Sequence, residues 1–340
     1  MFFLFLLILV LFVINLFVGS VDIPIDAVCR IILDEIIGDI SATDSLPASW
    51  RFIIMNSRLP SALTAMLAGA ALGVSGLLLQ TLFRNPLAGP NILGINSGAS
   101  LGVALVMLAG GGSMTSFSLV SFDGVLSVTF AAFLGAMVVM AVLLFFSSLL
   151  KSDLMLLIAG IMIGYVASGV IALLNFFATA EGVQTYMIWG MGSFSSVDMK
   201  LLGMFAALVG IGLLGALLLV KPLNALLLGD NYATNLGVRV SRIRTYLLLI
   251  VGLLSAVTTA FCGPVSFLGL AVPHVGRLLF RRSDHRRLLP VTILLGSAMA
   301  LLCNLLCVLP GDGGVIPLGA VTPLLGAPVV IYVVMLSRRR

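Results

Sequence analysis

The chain has 340 residues, of which 61% are hydrophobic and 9% charged, against about 25% charged in an ordinary soluble domain. Its mean hydropathy is +1.24. A polar shell around a soluble core cannot be built from this composition, so the chain is an integral membrane protein, and its net charge of +5 reads as loop charge biased to one side of a bilayer rather than as a nucleic-acid surface.

The apolar segments are long and continuous and lack the period-two alternation of a membrane strand. Helices then satisfy the backbone, and the expected fold is all-α. The opening MFFLFLLILVLFVINLFVGS has neither a basic start nor a small-residue cleavage site and is expected to stay as a helix over 2–19. VCRIILDEIIGDI follows as a solvated amphipathic stretch carrying Asp34, Glu35 and Asp39. Eight further spans are expected at 59–83, 92–110, 123–149, 154–179, 201–220, 245–262, 289–309 and 317–336. GPVSFLGLAVP, 263–273, is short and rich in breakers, and reads as a half-length helix inside the bundle.

Counting that segment gives about ten transmembrane helices with both termini cytoplasmic. The inner side then holds the loops 84–91, 150–153, 221–244 and 274–288 and the tail SRRR. Together these carry 14 of the 18 basic residues, leaving Arg30, Arg51, Arg58 and Lys200 outside. Nine spans would scatter the same residues over both sides, against the positive-inside bias. The whole of 1–340 reads as one polytopic domain with a cytoplasmic loop, 222–244, within it.

The return RNPLAGPNILG, with Arg84, Asn85, Pro86, Pro90 and Gly94, stops one helix and positions the next. In the longest inner loop Asp230 is an expected N-cap and Gly237 an expected C′ residue. They bracket the short helix Asn231, Tyr232, Ala233, Thr234, Asn235, Leu236. HVGRLLFRRSDHRR, 274–287, is the most basic loop and suits anionic lipid. Its two histidines beside Asp284 make a poor metal site, the four cysteines suit packing, and no metal site is expected. No nucleophile–base pair is apparent, so no catalytic residues are expected. Tyr165, Ser168, Ala172 and Asn175 fall at helical spacing as a weakly polar stripe, open to reading as helix–helix bonding or as a path lining. No ionisable residue is expected mid-membrane, which argues against an ion-coupled secondary transporter.

RLPSALTAMLAGAALGVSGLLLQTLFRNPLAGPNILGINSGASLG, 58–102, closely resembles the FecCD family of ABC importer permeases. GPVSFLGLAVPHVGRLL with SDHRRLLP, 263–290, and IPLGAVTPLLGAPVVI, 316–331, match further blocks of its pattern in order. The resemblance implies the membrane subunit of an importer of ferric siderophores, with haem or cobalamin as alternatives, in the bacterial cytoplasmic membrane. ATP and Mg²⁺ would be bound by a separate ATPase; this chain has no P-loop and no Gly-Lys pair, and no cofactor of its own is implied. It implies that Asp230–Gly237 form the coupling helix toward that ATPase, that Arg58 and Arg51 dock an extracytoplasmic binding protein, and that Tyr165, Ser168 and Asn175 line a path shared with a second permease copy. The chain departs from the pattern at Ser61, where a basic residue is common, and at Asn304 and Val308, where Asp and Arg are common.

Overall fold

The structure, a computed structural model, describes residues 1–37, 46–108, 124–150, 152–280, 283–309 and 314–337. Asp39, Lys151, Arg281, Arg282, Arg338, Arg339 and Arg340 lie outside the described residues. α1 spans Phe2–Phe17 and α2 Ile25–Ile37. α3 (Ala48–Ile53) runs through a π-helical turn at Ile54–Arg58 into α4 (Leu59–Leu82), making one rod of 35 residues. Then come α5 (Ile95–Met107), α6 (Gly124–Leu149), α7 (Asp153–Phe177), the short α8 (Ala180–Gly190) and α9 (Met199–Leu218). The small helices α10 (Val220–Leu227) and α11 (Asp230–Asn235) precede α12 (Val240–Cys262), α13 (Leu268–Phe280), α14 (His285–Val308) and α15 (Leu318–Ser337). Among the described residues, 6 helices are long and apolar enough to cross a membrane; the shorter apolar helices Phe2–Phe17, Ile95–Met107, Leu268–Phe280 and Leu318–Tyr332 bring the set to the expected ten.

α4 is the axis. Nearly all of it is buried, because Gly and Ala let other backbones approach closely. A Cβ on Gly69 would overlap the Gly296 carbonyl of α14, and one on Gly76 would overlap the Gly269 carbonyl of α13. The same device joins α5 to α6, where Gly98 and Gly102 face Gly135 and Ala131. Leucine-rich α6, α7 and α9 turn many large apolar side chains outward, as lipid- or partner-facing helices do.

Two crossings are broken. α5 and α13 have 13 residues each, about 20 Å of helix at 1.5 Å per residue, too short for a hydrocarbon core of about 30 Å. Each is led in by non-helical chain. Gly269 lies between Leu72 of α4 and Pro90, so the stretch leading to α5 reaches several turns in from the Leu82 end. The sequence placed that stretch in a tight surface return and began the helix at 92; instead Pro90–Leu93 form a 3-10 turn and Gly94 takes φ +73 before α5 starts at Ile95. The second half-helix is also displaced. Residues 263–267 are non-helical, so the helix begins at Leu268 and continues to Phe280, taking His274 and Arg277 out of the expected loop and into the bundle. Buried chain of this kind persists only where protein, not lipid, surrounds it.

Side-chain contacts gather the expected inner loops at one end. Arg84 pairs with Asp230, Arg244 with Asp153, and Asn224 with Asp284. At the opposite end Arg58 meets the C-terminus of α1, the Ser193 N–H donates to the Cys262 carbonyl (2.8 Å) and the Gly319 N–H to the Met191 carbonyl (2.8 Å).

Candidate functional site

The inner face is built around α11. Gly229 has φ +109, a backbone state closed to other residues, and it turns the chain from α10 into α11 one residue earlier than the sequence indicates. Asp230 is therefore the first helical residue and not the N-cap. Its carboxylate, released from capping, pairs with Arg84. Only Ala233 is buried against the bundle, while Asn231, Tyr232, Thr234, Asn235, Leu236 and Gly237 are exposed. At the far end Gly237 is the expected C′ residue: φ is +82, and the Val238 N–H returns to the Ala233 carbonyl (3.0 Å). The result is an outward-facing block of one and a half turns, closed at both ends by glycines and held by one ion pair.

The 84–94 stretch supports that block. Arg84 itself has φ +45. Asn85 accepts from the Leu87 N–H (2.9 Å), an Asx turn that fixes Pro86. The Pro86 carbonyl accepts from His274 Nε2 (2.7 Å), tying the loop to α13. Gln80 of α4 accepts from Arg277 and donates to the Leu270 carbonyl. His285 is buried between Thr81 (2.8 Å) and Asn224 (2.9 Å). Asp284 caps α14, and its carboxyl is held below the usual range by the Arg286 N–H first and the Asn224 amide second. These polar groups lock α4, α10, α13 and α14 together. Both histidines are hydrogen-bonded within this lock, and no metal cluster is found among the described residues.

At the outer end the sequence misplaced Arg58. Its guanidinium does not face solvent. It is buried and donates to the carbonyls of Leu16 (3.0 Å), Phe17 (2.8 Å) and Val21 at the exit of α1. Those carbonyls have no helical partner, and a guanidinium satisfies several at once, so the bundle outcompetes a surface position. Arg51 is half exposed and pairs with Asp34 (3.3 Å) and Glu35 (2.8 Å) of α2. Asp34 was expected to be solvated; its side chain is instead 2% exposed under this pair. Ser61 and Asn304, two of the departures from the family pattern, meet: Ser61 Oγ donates to Asn304 Oδ1 (3.2 Å), and Asn304 Nδ2 to Asn15 Oδ1 (2.9 Å). A neutral pair stands where the pattern favours opposite charges.

On α7, Tyr165, Ser168 and Ala172 share an exposed face, and nothing lies within 4 Å of a Cβ placed on Gly169. Asn175 is half-buried and donates to the Ile171 carbonyl (3.0 Å), so its amide is partly committed to its own helix. Among the described residues, Tyr165 lies midway along α7 and His274 midway along α13, the latter an ionisable group inside an apolar helix where the sequence expected none. The sequence reading missed α8 as a separate helix. Tyr186 stacks on Trp189 there, at 6.2 Å between ring centroids, and the following Gly192 turns the chain with φ +69.

The pattern of the FecCD transport family matches residues 7–336. The vitamin B12 import system permease protein BtuC of Citrobacter koseri is 34% identical over 91% of this chain and 91% of its own length. The protein of the same name from Klebsiella pneumoniae is 35% identical over 87% and 86%. Among solved structures, an inward-facing metal-chelate type ABC transporter is similar with a TM-score of 0.83 at 29% identity, over 98% of both chains. PsaBC from Streptococcus pneumoniae in complex with Fab shares the fold at a TM-score of 0.50 and 18% identity, over 81% of this chain and 90% of the other.

Proposed function

The chain belongs to the FecCD transport family and is an ABC importer permease; from that premise we propose that it carries a bulky metal chelate, a ferric siderophore first, across a bacterial cytoplasmic membrane. The observation that carries the reading is the α7 face. It is open, weakly polar and free of charge from Tyr165 to Ala172. Such a face holds a large ligand weakly enough to release it, and it offers no ligand set to strip a bare ion. ATP hydrolysis falls to a separate ATPase seated on α11, capture falls to an extracytoplasmic binding protein, and a second permease copy completes the path. Cobalamin is the second reading, favoured by the relatives named as vitamin B12 permeases.

The test is uptake by vesicles holding the chain with its ATPase and binding protein, offered labelled ferric siderophore, cobalamin and haem with and without ATP. ATP-dependent uptake of the siderophore alone is the expected result. Uptake of cobalamin or haem alone would replace the cargo, and ATP-independent uptake driven by an ion gradient would overturn the mechanism.

Coupling through α11 has its own test. Gly237→Val forces a β-branched side chain into the left-handed region, at about 1–2 kcal/mol. Asp230→Ala removes the partner of Arg84. Both variants are expected to be made at normal levels and to transport severalfold less cargo per ATP hydrolysed. Wild-type uptake in both would remove α11 from the coupling route.

A further inference from the structure

Four charges from four separate elements meet as two pairs of opposite sign at the inner face. Arg84 follows α4, Asp230 begins α11, Arg244 lies in the second turn of α12, and Asp153 begins α7. Arg84 pairs with Asp230, and Arg244 with Asp153. The two pairs are not independent: Asp153 interacts electrostatically with Arg244, Asp230 and Arg84. We propose that Arg84, Asp230, Arg244 and Asp153 act as one relay that delivers displacement of α11 to the inner end of α7. The inference rests on the proposed roles of α11 toward the ATPase and of α7 along the path.

Three observations support it. First, α7 packs on α5, α6 and the Pro90–Leu93 turn; the ion pair to Arg244 ties its inner end instead to α12, which follows α11 after a four-residue link. Second, the Arg244–Asp153 side chains are only 12% and 24% exposed, so this pair is less screened than the rim pair Arg84–Asp230 at 48% and 42%. Breaking a partly buried pair strands a charge, so the two elements move together in preference to parting. Third, α11 is closed by glycines at both ends and buries one residue, so it can shift as a unit.

Asp153 also sits where an acid favours a helix N-terminus. A purely local role of that kind predicts lower stability on substitution, no change in the link between α11 and α7, and no rescue by exchanging the charges.

The experiment uses the permease reconstituted with its ATPase in lipid nanodiscs, with the exposed Cys29 replaced by Ser. Spin labels on Met155→Cys and Leu279→Cys report α7, and labels on Leu236→Cys and Leu279→Cys report α11. Distances are measured with and without ATP–vanadate. In the wild-type background both distances are expected to change. In Asp153→Asn and in Arg244→Gln the α11 distance still changes, the α7 change is lost, and cargo moved per ATP falls at least about fivefold. Exchanging the pair, Asp153→Arg with Arg244→Asp, restores the α7 change. An α7 change that survives both single substitutions overturns the relay while leaving the transport reading intact. A wild-type protein in which neither distance responds to nucleotide removes α11 and α7 from the coupling route, and overturns the relay with it.

Discussion

Gly76→Val should leave almost no folded protein in the membrane. Gly76 lies where α4 crosses α13, and a Cβ there falls on the Gly269 carbonyl, a backbone atom that cannot rotate away. Relief requires the two helices to part. That would uncover the polar chain around Pro90 and loosen the contact of Leu72 with the same segment. Overpacking in a close-packed interior costs about 1–3 kcal/mol, and more where backbone has to shift; the upper end of that range or beyond is expected here. Size-exclusion profiles and melting curves of the tagged, detergent-solubilised protein provide the measurement. Gly203→Ala is the control, since nothing lies within 4 Å of a Cβ at that position. A Gly76→Val protein that elutes and melts like the Gly203→Ala control would mean that α4 and α13 do not cross so closely.

The second large effect concerns Arg58. Replacing it by alanine leaves the carbonyls of Leu16, Phe17 and Val21 without their donor at the exit of α1. Hydrogen bonds from a charged donor contribute about 1.5–3 kcal/mol, and leaving their acceptors buried and bare costs more. A loss of about 3 kcal/mol is expected, seen as a fall in melting temperature and as new protease cleavage in the 18–24 connection. Arg58→Lys should recover little, because one ammonium cannot reach three carbonyls in the geometry of a planar guanidinium. An Arg58→Ala protein that melts with the wild type yet no longer binds the extracytoplasmic binding protein would return this residue to the docking surface.

Arg58 shows why part of this site was hidden in the sequence. Its partners are main-chain carbonyls supplied by a different helix, and carbonyls leave no mark in an amino-acid string. An arginine near an outer interface reads as exposed unless the end of α1 is known to lie beside it. Asp230 failed for a related reason. Its residue type is right for a cap, but the φ of Gly229 decided where the helix began. Gly237 was legible because the left-handed region nearly demands glycine. The ten apolar segments were legible from composition alone, since lipid leaves few alternatives to a helix. The starts of α5 and α13 were not. Both lead-in stretches carry visible breakers, Pro86, Pro90 and Gly94 before α5 and Gly263 and Pro264 before α13, but the residue at which each helix begins depends on backbone turns and on packing against α4 and Pro90 that the string does not show.

Those two half-length helices have a consequence for how the protein is made. A segment of 13 residues is too short to partition into a bilayer by itself, and an unwound stretch beside it adds bare amide groups to the cost. Neither α5 nor α13 can settle as an independent span when it leaves the ribosome. α5 must wait for α6, whose Gly135 receives Gly98 and Gly102. α13 fits against α4, which was synthesised long before it. Until then the glycine face of α4 stays uncovered. Biogenesis of this chain is therefore expected to include an inward docking step, in which α13 and then α14 close on the glycine face of α4.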